Sequence, residues 1–371
     1  MASASPGIVR EPGPEPEPCI DAPFELIAGA IVLAARVDGR PVVAMIDSGI
    51  PVSLIEPRLA AALGLVRHGA AIFGSEHGPV SADLVGPLRL AIGGRSLDLP
   101  TVIAADAPML HQTGIGAAIV IGRDVLRTAV FEFDFEQRRL RASQGHQPAG
   151  GWGGYVRMPT TTDANGRVVV EVDLPVAGRS PAILDLGSNT AVMMSGAFAR
   201  RHRLTHGLAV STGMIATLGG VSQTVAFSLP SLAIGGLAVR DIPVDALPHW
   251  SSPQPINLGL EVLRQFRLVL DLANNVIWLR PIRGAVFDRE MSGLLVAYRG
   301  SWLEVVHVAR GSPAEQAGVA RGAHILAIDG APIGDDYFGG GVWRWRYGPA
   351  ERCVLVGLRD RTTSLCLRRY Y

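Results

Sequence analysis

The chain has 371 residues, of which 48% are hydrophobic and 18% charged, and this length and composition predict two or three globular domains. The formal net charge of +1 argues against nucleic acid or an anionic surface as a partner. No apolar run is long enough to predict a transmembrane segment, and the spacing of the three cysteines argues against a disulfide framework or a zinc site.

Residues 1–21 are predicted to be a disordered arm, because residues 11–18 are built almost entirely from proline and glutamate. The arm lacks the basic region and the apolar region of a signal peptide. Localisation stays open on this evidence: the sequence as given indicates a cytoplasmic protein, and a natural start further upstream would indicate a periplasmic one.

The segment 22–142 is predicted to be rich in β-structure. Its alternating and apolar runs predict strands, and one segment with an early proline predicts a helix. The strands are expected at residues 24–37, 41–46 and 117–121, and the helix at residues 53–65. The second strand leads directly into Asp47-Ser48-Gly49, and a glycine-bearing hairpin tip is expected around residues 73–79.

Four motifs of this segment recur, in the same order, in the second half of the chain. The pairs are AMIDSG (44–49) with AILDLGS (182–188), LAIGG (90–94) with LAIGG (232–236), IGRDVL (121–126) with LGLEVL (258–263), and FEFD (131–134) with LVLD (268–271). Because the offsets lie between 137 and 142 residues, the sequence predicts a duplicated unit of about 130 residues.

A glycine-rich segment, 143–154, is predicted to link the two halves. The second half, 155–283, carries its own Asp-x-Gly motif at Asp185, a predicted helix over residues 195–204 and a second glycine-bearing tip near residue 219.

Each half resembles one lobe of a retropepsin-like aspartic peptidase, through the apolar-Asp-x-Gly motif, the hairpin that follows it and the Gly-Arg-Asp motif. The resemblance extends over residues 22–283. It implies a mainly β fold with two β-barrel lobes in one chain, as in pepsin-like enzymes, and we therefore expect a monomer.

The resemblance implies that Asp47 and Asp185 form a catalytic pair. Two close carboxylates share one proton, so one can activate water while the other protonates the amide carbonyl, with no metal and no cofactor. The other implied site residues are Ser48, Gly49, Gly187 and Ser188 in the catalytic loops, Gly74, Ser75, Gly78, Gly219 and Gly220 in the flaps, and Arg123 and Asp124 as structural support.

The second half departs from the family pattern. Leu186 stands where the family has a threonine or serine whose hydroxyl bonds across the lobe interface, and Leu260-Glu261 replace Arg-Asp. The alternative interpretation of each aspartate is a solvated turn residue, since Asp and Ser before Gly commonly form turns.

The sequence changes character near residue 290. GSPAEQAGV (311–319) and GAHILAIDG (322–330) resemble a bacterial PDZ domain, which is predicted over residues 290–371. That resemblance implies a C-terminal peptide as ligand, bound at a loop formed by Gly293, Leu294, Leu295 and Val296. Leu295 occupies a position where glycine is usual, and WRWRY (343–347) alternates with period two, which favours a strand over the expected helix.

The expected function is an aspartic endopeptidase that cleaves a polypeptide substrate, with the PDZ domain recruiting or gating that substrate. The alternative is a degenerate peptidase that binds peptides without cutting them. Motifs of other hydrolases, such as His-Glu-x-x-His and Gly-x-Ser-x-Gly, are absent from the sequence.

Overall fold

A computed structural model describes residues 19–75, 78–106, 114–144, 152–217, 220–338 and 341–371. Most of the predicted arm, part of the predicted linker and Gly219 therefore lie outside the described residues. The described chain is built mainly from strands, and none of its helices is long and apolar enough to cross a membrane.

The first half contains thirteen described strands and two described helices. The strands are β1 (Ile20–Pro23), β2 (Glu25–Ile27), β3 (Ala30–Val37), β4 (Arg40–Ile46), β5 (Leu54–Ile55), β6 (Val66–Ser75), β7 (Gly78–Gly86), β8 (Leu88–Ile92), β9 (Arg95–Leu99), β10 (Val102–Ala104), β11 (Ile119–Ile121), β12 (Val130–Asp134) and β13 (Arg139–Ser143). The helices are α1 (Pro57–Ala62) and α2 (Arg123–Leu126).

The second half repeats much of this order. Its described strands are β14 (Val156–Pro159), β15 (Thr161–Thr162), β16 (Val168–Leu174), β17 (Gly178–Leu184), β18 (Val192–Ser195), β19 (Val210–Thr217), β20 (Gly220–Ile234), β21 (Leu237–Leu247), β22 (Ile256–Leu258), β23 (Phe266–Asp271) and β24 (Val276–Pro281). Its described helices are α3 (Gly196–Arg201) and α4 (Leu260–Leu263).

The C-terminal segment forms its own sheet. Its described elements are β25 (Leu294–Tyr298), β26 (Leu303–Val308), α5 (Pro313–Gln316), β27 (His324–Ile328), β28 (Ala331–Pro332), a 3-10 helix (Val342–Tyr347), β29 (Cys353–Leu358) and β30 (Thr362–Cys366).

The two halves place equivalent strands in equivalent positions. In the ten-stranded sheet of the first half, β4 lies between β3 and β11 and runs parallel to β11. In the eight-stranded sheet of the second half, β17 lies between β16 and β22 and runs parallel to β22. The last residues of β4 and β17 are apolar and buried. Asp47 and Asp185 directly follow these strands, so their carboxyl groups lie at the edge of the core.

A third sheet, in the order β1-β13-β12-β23-β24-β14, joins the halves. Its central strands β12 and β23 pair antiparallel, with Phe131 opposite Leu270, so one pair of repeated motifs meets directly. Arg267 on β23 forms buried ion pairs with Glu132 (2.8 Å) and Asp134 on β12. Since the main hydrophobic core contains residues of both halves, these contacts hold the halves in a fixed arrangement.

The C-terminal sheet, in the order β25-β26-β27-β29-β30, has a separate hydrophobic core. It docks on strand β19 of the second half: the Ser211 hydroxyl donates to the Arg310 carbonyl (2.6 Å), and the Arg310 amide donates to Thr212 Oγ1 (3.1 Å). The C-terminal segment therefore contacts one strand of the hairpin that forms the second predicted flap.

Two predictions about the C-terminal segment are wrong. Residues 343–347 lie in the 3-10 helix, where Trp345 is buried in the core and Arg346 Nη1 donates to the Leu294 carbonyl (2.7 Å). Cys353 and Cys366 form a disulfide, because the antiparallel register of β29 and β30 places them directly opposite each other. Cysteine spacing alone does not reveal such a cross-strand pair.

The two long predicted helices are shorter than expected. Residues 53–65 begin with strand β5 before α1, which starts at Pro57, where the missing amide proton is tolerated in the first turn. Residues 195–204 contain α3, and Ser195 caps it by accepting a hydrogen bond from the Phe198 amide (3.4 Å).

Candidate active site

Asp47 and Asp185 occupy the same position in the two halves. Each directly follows a buried strand, and its backbone amide donates across to the neighbouring parallel strand, to Ile121 O for Asp47 and to Leu258 O for Asp185 (both 2.9 Å). In each loop the amide of the glycine two residues later donates a hydrogen bond to the aspartate carboxylate: Gly49 N donates to Asp47 Oδ1 (2.6 Å) and Gly187 N donates to Asp185 Oδ1 (3.0 Å). The repeated motif thus produces the same hydrogen-bonded loop twice.

The two carboxyl groups meet across the interface between the halves. A Cβ atom placed on Gly49 would lie 2.8 Å from Asp185 Oδ1 and 2.9 Å from Asp47 Oδ1, so both oxygens lie close to one point. A Cβ atom on Gly187 would overlap the carboxyl group of Asp47. Glycine is therefore required in both loops, because any side chain would occupy the space into which the opposite carboxyl group projects.

The carboxyl group of Asp47 retains a proton to near-neutral pH. Burial and the nearby Asp185 carboxylate raise the pKa of Asp47 to about 7, against the opposing effects of the Gly49 amide and the Arg123 guanidinium. Since two close carboxylates cannot both ionise easily, the pair holds one proton below that pH.

A single hydroxyl ties the two loops together. Ser48, which is fully buried, donates from Oγ to the Leu184 carbonyl (3.1 Å) and accepts from the Leu186 amide (2.9 Å). In the second half, fully buried Leu186 brings no hydroxyl to make the reciprocal contact. The hydroxyl of Ser188 instead bonds locally with that of Thr190 (2.9 Å). The side-chain bridge between the two loops is therefore one-sided.

Asn257 is a site residue that the sequence reasoning missed. It lies on β22, is buried, and donates from Nδ2 to Asp185 Oδ2 (2.8 Å). The strand register puts Asn257 opposite Ile183, just as it puts Val120 opposite Met45 in the first half. A comparison of the repeats could have found it, because Ile-Asn-Leu-Gly replaces Ile-Val-Ile-Gly and a lone amide there interrupts an apolar strand.

Arg123 and Asp124 make separate contacts at and beside the first Asp-x-Gly loop. The buried guanidinium of Arg123 donates to the Ser48 carbonyl (2.7 Å), and Asp124 accepts from the amide (3.0 Å) and the hydroxyl (2.8 Å) of Ser53. At the corresponding place in the second half, Glu261 pairs with Arg264 (2.7 Å). The two Asp-x-Gly loops thus have different polar contacts beside them.

The predicted flap residues lie at the ends of two long hairpins. In the hairpin of β6 and β7, Gly74 pairs with Pro79 and Ser75 with Gly78. In the hairpin of β19 and β20, Gly220 pairs with Thr217. Gly219 lies outside the described residues.

A cavity of about 530 Å³ opens above the aspartate pair. Residues of both halves line it, and so do residues of the C-terminal segment, including the predicted peptide-binding loop of Gly293, Leu294, Leu295 and Val296. The site and this loop therefore share one continuous space.

The first two backbone amides of the predicted peptide-binding loop, those of Gly293 and Leu294, have acceptors within the protein. Glu290 accepts hydrogen bonds from the amides of Ser292 (2.9 Å) and Gly293 (2.8 Å) and from the Tyr370 hydroxyl (3.1 Å). The Leu294 amide donates to Ser292 Oγ (3.1 Å). A carboxylate of the protein itself thus binds the amide of Gly293, the first residue of this loop.

Among the residues that the structure describes, no group of three or more His, Cys, Asp or Glu side chains is arranged to hold a metal ion.

Comparison with known proteins places both halves in one family. Residues 33–125 and 170–262 each match the model for aspartyl protease. No curated protein matches the sequence significantly. Among solved structures, basic 7S globulin from soybean is similar to this chain at 10% identity and a TM-score of 0.44, over 70% of this chain and 94% of the globulin chain.

Proposed function

The chain belongs to the aspartyl protease family, and we propose that it is an aspartic endopeptidase that cleaves polypeptides with a water molecule held between Asp47 and Asp185. The convergence of these two carboxyl groups, one from each half, on one point is the observation that carries the proposal. The raised pKa of Asp47 supports it, since the reaction needs one protonated and one ionised partner.

We base the proposed roles on the asymmetry of the pair. Asp185, whose carboxylate accepts from the Asn257 amide, removes a proton from water as the water oxygen attacks the amide carbon. Asp47 donates its proton to the carbonyl oxygen, which gives a neutral tetrahedral diol. The C–N bond then breaks as Asp185 protonates the departing nitrogen, and one hydroxyl of the diol returns its proton to Asp47. The pair thereby regains its starting protonation.

Activity measurements on variants of the pair test this proposal. We expect cleavage of an unfolded polypeptide between about pH 4 and pH 7, inhibition by pepstatin, and a loss of at least a thousandfold in Asp47→Asn and Asp185→Asn. Asp98→Asn is the matched control, because Asp98 is an exposed aspartate paired with Arg89. Cleavage that persists in either pair variant would show that another group, or a contaminant, is responsible.

We further propose that residues 290–371 act as a PDZ-like module that guides substrate to the aspartate pair. Strand β25 is an edge strand of its sheet, and its first residues line the same cavity as the pair. An extended peptide added along this edge would run toward the site. Glu290 accepts hydrogen bonds from the Gly293 amide of the loop and from the preceding Ser292 amide, so a free C-terminal carboxylate would compete with it there. We therefore expect Glu290→Gln to tighten binding of a peptide with a free C-terminus.

A second candidate function is peptide binding without cleavage. The observation that favours it is Leu186, which brings no hydroxyl to the lobe interface, so that among the described residues the side-chain bridge between the two Asp-x-Gly loops comes from Ser48. Under this alternative, peptides bind in the cavity equally well in the wild type and in Asp47→Asn, and no product forms at any pH. Mass spectrometry of the peptide after incubation separates the two functions.

A further inference from the structure

Four carboxylates of the described residues line the cavity beside the aspartate pair, those of Asp245, Glu261, Asp288 and Glu290. Three of them have partners in the protein: Glu261 pairs with Arg264 (2.7 Å), Asp288 pairs with Arg344 (2.9 Å), and Glu290 binds loop amides. The arginines that line the cavity donate to other acceptors, namely Arg167 to Asp163, Arg289 to Ser228 and Arg346 to Leu294.

Asp245 differs from the other three. It lies on β21, and its Oδ1 accepts a hydrogen bond from the neutral hydroxyl of Thr224 (2.6 Å). Among the described residues it has no ion pair. Burial raises the pKa of Asp245, and the hydrogen bond from Thr224 only partly opposes this effect. The carboxyl group therefore faces the cavity without a cation of the protein to balance it.

The chain leaves room for this group. Gly213 lies opposite Thr224 in the hairpin of β19 and β20, and a Cβ atom at Gly213 would lie 2.7 Å from Asp245 Oδ1. A larger residue at position 213 would push the carboxyl group or the hydroxyl aside. The hydrogen bond between Thr224 and Asp245 thus depends on the glycine at position 213 of the adjacent strand.

The first half has no equivalent charge. The parallel pairing of β10 with β5 puts Ile103 opposite Leu54, and the corresponding pairing of β21 with β18 puts Asp245 opposite Met193. Ile103 is apolar and buried, so the repeat shows that an apolar residue satisfies the fold at this position. A carboxyl group there is not required for the fold. It adds an ionisable group to the part of the cavity that the second half lines, where the first half has an apolar side chain.

A carboxylate withdrawn from water is stable only when a cation or several donors accompany it. In a cavity that takes polypeptide, a lysine or arginine side chain of the ligand can supply that cation. We propose that Asp245 is a specificity-determining residue that selects a basic side chain in the bound polypeptide. This inference rests on the proposed peptidase function and names its substrate class as peptides with lysine or arginine near the cleaved bond.

Matched peptides test this selection. A library digest first identifies the position near the cleaved bond at which a basic residue is enriched, and two peptides that differ only there, with lysine or methionine, are then compared. We expect the wild type to favour lysine in kcat/KM, and Asp245→Asn to reduce the lysine-to-methionine ratio by about tenfold to a hundredfold, the range for hydrogen bonds to charged groups. Asp288→Asn removes a charge from the same cavity that is already paired, so it should leave the ratio unchanged.

Binding measurements separate failure of this inference from failure of the peptidase proposal. The same two peptides are titrated into Asp47→Asn and into Asp47→Asn/Asp245→Asn by calorimetry. Tighter binding of the lysine peptide that disappears in the double variant supports the inference, even if the wild type cuts neither peptide and the peptidase proposal fails. Cleavage or binding without a preference for basic residues, or a preference that survives Asp245→Asn, overturns it.

Discussion

Replacing Asn257 with valine, the residue that the first half has at the equivalent position, tests how the aspartate pair is made asymmetric. The change removes the hydrogen bond from Asn257 Nδ2 to Asp185 Oδ2 (2.8 Å). A hydrogen bond to a charged group contributes about 1.5 to 3 kcal/mol. Loss of that energy disfavours the ionised base, and about 1.4 kcal/mol corresponds to one pH unit. The acidic limb of the kcat/KM profile should therefore move to higher pH by about one to two units.

The assay is a pH profile of peptide cleavage, measured with a fluorogenic peptide from pH 3 to 8. Asn274→Ala is the matched control, because Asn274 Nδ2 donates to Asp271 Oδ2 at the same distance of 2.8 Å but lies in the turn between β23 and β24. It should leave the profile unchanged. If Asn257→Val lowers kcat at all pH values without moving the acidic limb, Asn257 has only a packing role and the assignment of the base is wrong.

The same variant should not unfold the protein. Asn257 is buried, and its Oδ1 has no hydrogen-bond partner among the described residues. A buried acceptor without a partner costs about 1 to 3 kcal/mol, which roughly offsets the stabilising hydrogen bond that valine would remove. Thermal unfolding of Asn257→Val should therefore occur within a few degrees of the wild type, so that its kinetic defect can be read as a change at the site.

Three further predictions concern the forces that hold the pair and the halves together. The pKa of Asp47 is about 7 in the folded protein. Between about pH 4 and pH 7, Asp47 therefore keeps its proton in the folded state but loses it in the unfolded state. The free energy of unfolding consequently falls as pH rises through that window. Asp47→Asn should remove this dependence of stability on pH. In urea unfolding, the variant should be more stable than the wild type by about 4 kcal/mol at pH 8 and by little at pH 4. An unchanged dependence on pH would contradict the raised pKa. Ser48→Ala leaves the Leu184 carbonyl and the Leu186 amide unpaired and should cost about 2 to 4 kcal/mol in the same assay, while Ser188→Ala, which lacks an inter-lobe bond, should cost less than half as much. Arg267→Met removes the nearest cation from Glu132 and Asp134 and leaves them paired with Arg141 at 4.0 and 3.9 Å. It should cost about 3 kcal/mol, the lower end for breaking a buried ion pair, against less than about 1 kcal/mol for Arg89→Met at an exposed pair. Equal losses would show that the buried ion pair is not what joins the halves.

The positions of both aspartates could be predicted because their signals are local. An apolar run followed by Asp-x-Gly specifies a buried strand and a tight loop, and the repeat confirms that the two copies are equivalent. The duplication marked FEFD and LVLD as equivalent, but only the structure shows that they pair with each other, on β12 and β23, in a sheet that joins the halves.

The contacts that the sequence did not reveal join residues that are distant along the chain. Asn257 reaches Asp185 from 72 positions away, through the register of β17 and β22. Cys353 and Cys366 meet because β29 and β30 pair antiparallel. In the 3-10 helix, Trp345 is buried in the C-terminal core, and this tertiary contact overrides the alternation of Trp and Arg that favoured a strand.

The two halves share a backbone fold, but each contributes a different polar side chain to the site. The first half contributes Ser48, whose hydroxyl serves both loops, and the second half contributes Asn257, whose amide serves only Asp185. A symmetric pair would have no reason to place its proton on one particular partner. Here burial and the adjacent carboxylate raise the pKa of Asp47, while Asp185 accepts a hydrogen bond from the Asn257 amide. The amide at position 257 therefore distinguishes the two carboxyl groups, and the proposed roles of acid and base depend on that difference.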